Sequence, residues 1–282
     1  MAYDQHHSPP RPGHRSGHRA RKRFGQNFLH DPGIIQKIVL AIDPRPGEQL
    51  VEIGPGLGAL TSHLLRLAGS MDVIELDRDL VAKLHQQFGH LGKLHIHSGD
   101  ALKFDFRQLV RNGKLRLVGN LPYNISTPLL FHLLSQVDVI QDMYFMLQKE
   151  VVQRMAADPG TSSYGRLSIM VQYYCHVEQL FNVPPGAFNP PPKVDSSIVR
   201  LQPHHPLPCP ADDLASLSLL LRQVFSKRRK TLRNGLKGLL TEQDIVDLGI
   251  DPELRPEVLG LKDFVALSNR LHQISQQTSD DD

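Results

Sequence analysis

The chain has 282 residues, of which 40% are hydrophobic and 22% are charged, and its formal net charge is +3. This length suits one large domain and one small one. No apolar run approaches the roughly 20 residues that cross a bilayer, and the N-terminus lacks the apolar core of a secretory signal. We therefore expect a cytoplasmic protein without membrane contact. The two cysteines and the scattered histidines show no metal-ligand spacing, so we predict no metal site.

The charge is unevenly distributed along the chain. Residues 1–23 carry a net charge of +5, residues 222–237 hold seven bases and no acid, and residues 238–282 carry −7. Two concentrated basic segments on a nearly neutral body indicate a polyanionic partner. A solvated charged surface is the alternative interpretation of the second segment.

Residues 1–20 are predicted to be a disordered basic arm, because they contain little that could be buried. Short apolar strands then alternate with helical patterns. We predict strands at 50–53, 71–75, 94–97, 115–118 and 143–147, and helices at 59–67, 78–87, 127–135 and 149–157. This alternation predicts an α/β fold with an open, doubly wound and mainly parallel sheet.

The pattern changes after residue 177. Two predicted strands, 177–183 and 196–201, flank a proline-rich turn and form a hairpin at the edge of the sheet. A proline-rich linker at 204–210 leads to predicted helices at 212–225, 228–240, 242–248 and 261–276. We therefore divide the chain into the basic arm (1–20), a larger α/β domain (21–205) and a small helical domain (206–282).

Candidate functional residues lie at the ends of the predicted strands. Gly54, Gly56 and Gly58 lead from a strand into a helix, Glu75 ends the next strand, and Asp100 follows the third. Open α/β sheets bind ligands at this edge, although a tight structural turn would also explain the glycines alone. The arrangement resembles the class I S-adenosylmethionine-dependent methyltransferases. That resemblance implies cofactor methionine at the glycines, ribose at Glu75 and adenine beside Asp100.

The fourth strand leads into Asn120-Leu121-Pro122-Tyr123. The Asn120 side chain and the Leu121 carbonyl can accept hydrogen bonds from an exocyclic amine, and Pro122 fixes the turn. Tyr123 offers a face on which a base can stack. Phe188, in a proline-rich segment, could cover the opposite face of a flipped base, although a core phenylalanine is equally compatible with the spacing.

Four ordered segments together resemble the ribosomal RNA adenine dimethylases, in particular the branch that acts on the small subunit: residues 24–29, 54–58, 119–127 and 188–196. The resemblance implies that Asn27, Leu29 and Asn120 also contact S-adenosylmethionine. It implies dimethylation, on N6, of two adjacent adenines near the 3′ end of 16S rRNA in the small ribosomal subunit, and a role in the biogenesis of that subunit. It also implies that the C-terminal helices contact RNA.

For RNA binding we predict five bases on one face of a helix: Arg222, Arg229, Lys230, Arg233 and Lys237. Three alternatives remain. A methyltransferase of large-subunit RNA shares most motifs, but the run at 228–234 and the complete segment 24–29 favour the small-subunit branch. A non-catalytic assembly or transcription factor is disfavoured because the glycine loop and Asn120 are intact, and a DNA methyltransferase because no DNA-reading module is evident. We expect a monomer.

Overall fold

A computed structural model of the protein describes residues 27–226 and 229–280. The basic arm, residues 24–26 and Arg228 lie outside the described residues. The strands are β1 (Phe28–Leu29), β2 (Gln49–Ile53), β3 (Ser70–Glu75), β4 (Lys93–Ser98), β5 (Leu115–Asn120), β6 (Ile140–Gln148), β7 (Cys175–Val183), β8 (Phe188–Asn189) and β9 (Ser196–Pro203). The helices are α1 (Pro32–Ile42), α2 (Thr61–Ala68), α3 (Arg78–Phe88), α4 (Ser126–Leu134), α5 (Lys149–Met155), α6 (Arg166–Tyr174), α7 (Leu214–Ser226), α8 (Leu232–Gly235), α9 (Glu242–Asp247) and α10 (Leu261–Asp280).

The central sheet has the order β4-β3-β2-β5-β6-β9-β7. The five strands from β4 to β6 run parallel, and β9 pairs antiparallel with both β6 and β7. The predicted α/β fold and the appended hairpin are thereby confirmed. The inner strands β2, β3 and β5 are buried on both faces, which explains why they read as nearly continuous apolar runs.

Two hydrophobic clusters cover the two faces of the sheet. One contains buried residues of α4, α5 and α6, and the other contains those of α1 and α2. The second cluster also includes Leu29 and Phe188, which pair between the short antiparallel strands β1 and β8. The segment after Asn27 is thus packed on the sheet, and the Phe28 ring lies beside Gly56, 3.3 Å from where an added Cβ would stand.

A third cluster is formed by the helices that follow residue 206 together with α6. Ile169, Met170 and Tyr173 of α6 pack in it against α7 and α10. Helix α6 therefore joins the helical unit to the sheet. The boundary at residue 206 stays a prediction, since one core extends across it.

The predicted helix at 228–240 is wrong. Helix α7 ends at Ser226, and α8 spans four residues, Leu232–Gly235. The amides of Leu232 and Arg233 donate to the carbonyls of Leu254 and Pro252 at 2.8 and 3.0 Å, so tertiary hydrogen bonds hold this segment in place of a longer helix. Consequently the five predicted RNA-binding bases do not share one helical face. No helix in the described part of the chain is long and apolar enough to cross a membrane.

Candidate active site

A cavity of about 370 Å³ opens at the carboxyl ends of β2, β3 and β5. Its walls include ten of the twelve predicted catalytic and cofactor-binding residues: Asn27, Leu29, Gly54, Gly56, Glu75, Asp100, Asn120, Leu121, Pro122 and Tyr123. Gly58 and Phe188 are not among the lining residues. The size is in the range of small-molecule sites, and the position is where open α/β sheets bind ligands.

The glycine loop forms one wall of the cavity. Gly54, Gly56 and Gly58 have φ angles of 66°, 60° and 80°, a region that side chains other than glycine rarely adopt. The Gly54 amide donates to the Ile74 carbonyl at 2.9 Å, which ties the loop to β3. At Gly58 an added Cβ would lie 2.1 Å from the Phe88 ring. The third glycine thus permits helix packing, while the first two expose backbone to the cavity.

Glu75 connects the end of β3 to this loop. Its carboxylate accepts hydrogen bonds from the amides of Asp77 at 2.8 Å and Gly56 at 3.2 Å. Burial raises the pKa of Glu75 above its usual value, and these hydrogen bonds oppose that rise. The carboxylate is therefore held in a fixed position at the cavity wall.

Glu52 is a lining residue that sequence reasoning did not single out. It is 2% exposed, and the hydroxyl of buried Thr61 donates to its carboxylate at 2.6 Å. Burial raises the pKa of Glu52 to about 7, and the nearby charge of Glu75 adds to the rise. The only signal in the sequence was an acid within an otherwise apolar strand, two residues before the first glycine.

Asp100 follows β4, the strand next to β3 in the sheet, and also lines the cavity. One of its carboxylate oxygens accepts from the Leu102 amide at 3.0 Å and closes a tight turn. In the described part of the chain no protein partner occupies the second oxygen. Asp100 can therefore accept a hydrogen bond from a ligand in the cavity.

Asn120 ends β5, and its side-chain amide donates to the main-chain carbonyl of Asn27 at 3.0 Å. This hydrogen bond uses the amide nitrogen and leaves the side-chain oxygen as an acceptor. The Pro122 and Tyr123 carbonyls accept from Ile125 and Ser126 at 3.1 and 3.0 Å. Among the described residues the Leu121 carbonyl has no such donor. Two acceptors thus occur together at this end of β5.

Tyr123 is anchored by a residue that sequence reasoning missed. Its hydroxyl lies 2.5 Å from the hydroxyl of Ser196, which is fully buried at the start of β9. Burial raises the pKa of Tyr123, so the side chain is a neutral aromatic group at physiological pH. Ser196 belongs to the same 188–196 segment as Phe188, and that shared motif was the available signal.

Phe188 lies in the core in this structure. It is 2% exposed and packs in the cluster that contains Leu29 and Val183. The core position that the spacing also allowed is the one observed, and the stacking role of Phe188 stays a prediction.

The predicted RNA-binding bases have different environments. Arg233 forms ion pairs with Glu253 at 2.8 Å and Glu242 at 3.5 Å, so two acids already neutralise it. Arg222 is exposed on α7, and Arg229, Lys230 and Lys237 are exposed after it. Their role in RNA binding stays a prediction.

Comparison with known proteins gives matches over nearly the whole chain. Residues 17–273 match the ribosomal RNA adenine dimethylase family. The chain is 58% identical to ribosomal RNA small subunit methyltransferase A of Marinobacter nauticus over 265 residues, 94% of this chain and 96% of the relative. It is 61% identical to the protein of that name from Pseudomonas aeruginosa over 258 residues, 91% and 96% of the two chains.

Solved structures agree with this relationship. A dimethyladenosine transferase from Plasmodium falciparum superposes with a TM-score of 0.75 at 31% identity, over 89% of this chain and 98% of the other. The 23S rRNA methyltransferase ErmE superposes with a TM-score of 0.67 at 23% identity, over 88% and 100%, which supports the fold. The fold is that of the class I methyltransferases, and the chain belongs to the ribosomal RNA adenine dimethylase family.

Proposed function

We propose that this protein transfers methyl groups from S-adenosylmethionine to the N6 amines of two adjacent adenines near the 3′ end of 16S rRNA in the small ribosomal subunit. The observation that carries the proposal is the pair of acceptors at the end of β5, the Asn120 side chain and the Leu121 carbonyl, on the wall of a cavity that also contains the glycine loop. Two relatives named for the small subunit match 94% and 91% of this chain, and the family match over residues 17–273 includes every residue of the site. The reaction belongs to subunit biogenesis in the cytoplasm.

The residues on the cavity wall fit S-adenosylmethionine. Gly54 and Gly56 let the backbone approach a ligand closely, and the Glu75 carboxylate is suited to ribose hydroxyls. Asp100 has an oxygen available for an adenine amino group. When bound, the cofactor supplies a methyl group on a positively charged sulfur. Asn27 and Leu29, from the N-terminal segment that contains β1, also line the cavity.

The chemical difficulty lies in the substrate amine, because its lone pair is delocalised into the adenine ring. Two acceptors for the amine hydrogens favour a pyramidal nitrogen whose lone pair is free to attack. Asn120 is suited to this role because its amide nitrogen is already bonded to Asn27, which fixes the orientation of its oxygen. Tyr123, anchored on Ser196, provides a flat surface for the base. Fixed positions of these groups reduce the entropic part of the barrier.

The test is methyl transfer from radiolabelled S-adenosylmethionine to purified small and large ribosomal subunits that lack the modification. Nucleosides are then identified by mass spectrometry. Asn120→Ala is the site variant, and we expect it to lower the rate by 100-fold or more, on the order of losing one transition-state hydrogen-bond partner. Asn112→Ala is the matched control, because Asn112 is exposed in the loop before β5, away from the cavity.

Dimethyladenosine in the small subunit alone, lost in Asn120→Ala and retained in Asn112→Ala, is the expected result. Label in the large subunit would refute the proposed substrate and favour the large-subunit alternative. Binding of small subunits with no methyl transfer would refute catalysis and favour an assembly factor.

A further inference from the structure

A second cavity, of about 290 Å³, lies where α5, α6 and α7 meet. Three arginines line it: Arg154 near the end of α5, Arg166 at the first position of α6, and Arg222 on α7. No aspartate or glutamate is among the described residues of its wall. We call this site the arginine cavity.

The positive charge of the arginine cavity is not compensated within the described parts of the chain. No carboxylate oxygen there lies within 4.0 Å of the side-chain nitrogens of Arg154, Arg166 or Arg222. Arg233, by comparison, has two carboxylate partners. The Nε atom of Arg166 is buried and has no hydrogen-bond partner among the described residues, which is unfavourable for a donor.

The surrounding structure fixes these groups relative to one another. The guanidinium of Arg166 lies 5.5 Å from the centre of the Phe131 ring, which restrains its stem. The Ser168 hydroxyl donates to the Arg154 carbonyl at 2.5 Å and accepts from the Gly165 amide at 3.0 Å, so the end of α5 is tied to the start of α6. The positive end of the α6 dipole adds to the local potential.

We propose that the arginine cavity binds a backbone phosphate of the ribosomal RNA substrate. This inference rests on the proposed function for the identity of its ligand. Guanidinium groups bind phosphate oxygens in paired hydrogen bonds. Three arginines from three helices line one small cavity, which suits a compact anion such as a phosphate better than an extended ligand. Arg154 and Arg166 belong to the part of the chain before residue 206, and Arg222 to the helical part. The phosphate therefore anchors the RNA to both parts at once.

The test is binding of purified small subunits to the full chain, measured as a function of salt concentration. The variant is Arg154→Gln with Arg222→Gln, because both side chains are exposed and Arg166 keeps its contact with Phe131. Arg66→Gln, which removes an exposed arginine from α2, is the matched control. The affinity for S-adenosylmethionine is measured in parallel to establish that each variant is folded.

We expect the double variant to bind subunits about 10- to 100-fold more weakly, as for the loss of charged hydrogen bonds. The slope of log K against log salt should become shallower by about 0.7 to 0.9, the amount for one phosphate contact. Unchanged affinity would overturn the proposal. Weaker binding with an unchanged slope would also overturn it, since that result indicates a contact with protein. If the parent binds subunits with this arginine-dependent slope but transfers no methyl group, the proposed reaction fails and the phosphate site stands.

Discussion

Replacing Glu52 by glutamine should change how the stability of the protein depends on pH. Glu52 is 2% exposed, and burial raises its pKa from 4.5 to about 7. Glutamine has nearly the same shape and can still accept the hydrogen bond from Thr61. The substitution therefore removes the titration and largely retains the packing.

The magnitude follows from the linkage between pKa and stability. A difference of one in pKa corresponds to about 1.4 kcal/mol, so a rise from 4.5 to about 7 corresponds to about 3 kcal/mol. Below pH 4.5 Glu52 is protonated in both the folded and the unfolded chain, and burying it carries no charge penalty. As pH rises to about 7 the unfolded chain releases its proton first, and the parent loses that stability. Relative to the parent, Glu52→Gln should therefore gain about 3 kcal/mol across this interval and level off above it.

The assay is urea denaturation of both proteins between about pH 4.5 and 8.5, followed by far-ultraviolet circular dichroism because the chain has no tryptophan. Glu150→Gln, which makes the same change at an exposed position on α5, serves as the matched control. Parallel profiles for Glu52→Gln and the parent would refute the reasoning. A relative gain that grows as pH falls would refute its sign.

Three further substitutions test the packing of the site and its support. Ser196→Ala removes the hydroxyl 2.5 Å from Tyr123 and should lower kcat/KM about 5-fold, near 1 kcal/mol, with cofactor affinity retained; an undiminished rate would contradict this. Arg116→Ala leaves the buried Asp142 without its two hydrogen bonds from Arg116. In urea titrations it should lower the free energy of unfolding by about 3 to 5 kcal/mol. A loss below about 1 kcal/mol would contradict this expectation. Gly58→Ala forces a φ of 80° and a contact of 2.1 Å, and we expect a loss of about 1 to 3 kcal/mol by the same measurement; unchanged stability would show that the loop relaxes freely.

The parallel sheet could be predicted because its signals are local. Strands β2, β3 and β5 are short apolar runs between helical patterns, and a strand buried on both faces requires that composition. Helices α1 and α6 were not predicted. For α1 a signal was present, since Asp31 accepts from the Ile34 amide and Pro32 occupies the first turn.

The candidate site could be predicted where chemistry and strand ends coincide in the sequence. Gly54, Glu75, Asp100 and Asn120 each follow a strand, and a parallel sheet necessarily brings such positions to one edge. Glu52 and Ser196 could not be found in this way. Their importance depends on burial and on contacts to Thr61 and Tyr123 across the fold, which no spacing in the sequence encodes.

The basic segment shows why periodicity fails when a chain turns. From Arg222 to Lys237 the bases recur at helical spacing, yet the helix ends at Ser226 and Gly235 packs tightly on Val224, where an added Cβ would lie 3.1 Å from Cγ2. The bases are thereby distributed over different surfaces: Arg233 pairs with acids, while Arg222 joins arginines of two other helices. Only the tertiary structure distinguishes a neutralised arginine from one that lines a cavity without acidic residues. The number of basic residues in a segment therefore predicts that its partner is negatively charged. Where a phosphate binds depends on which of those residues have no carboxylate partner within the protein.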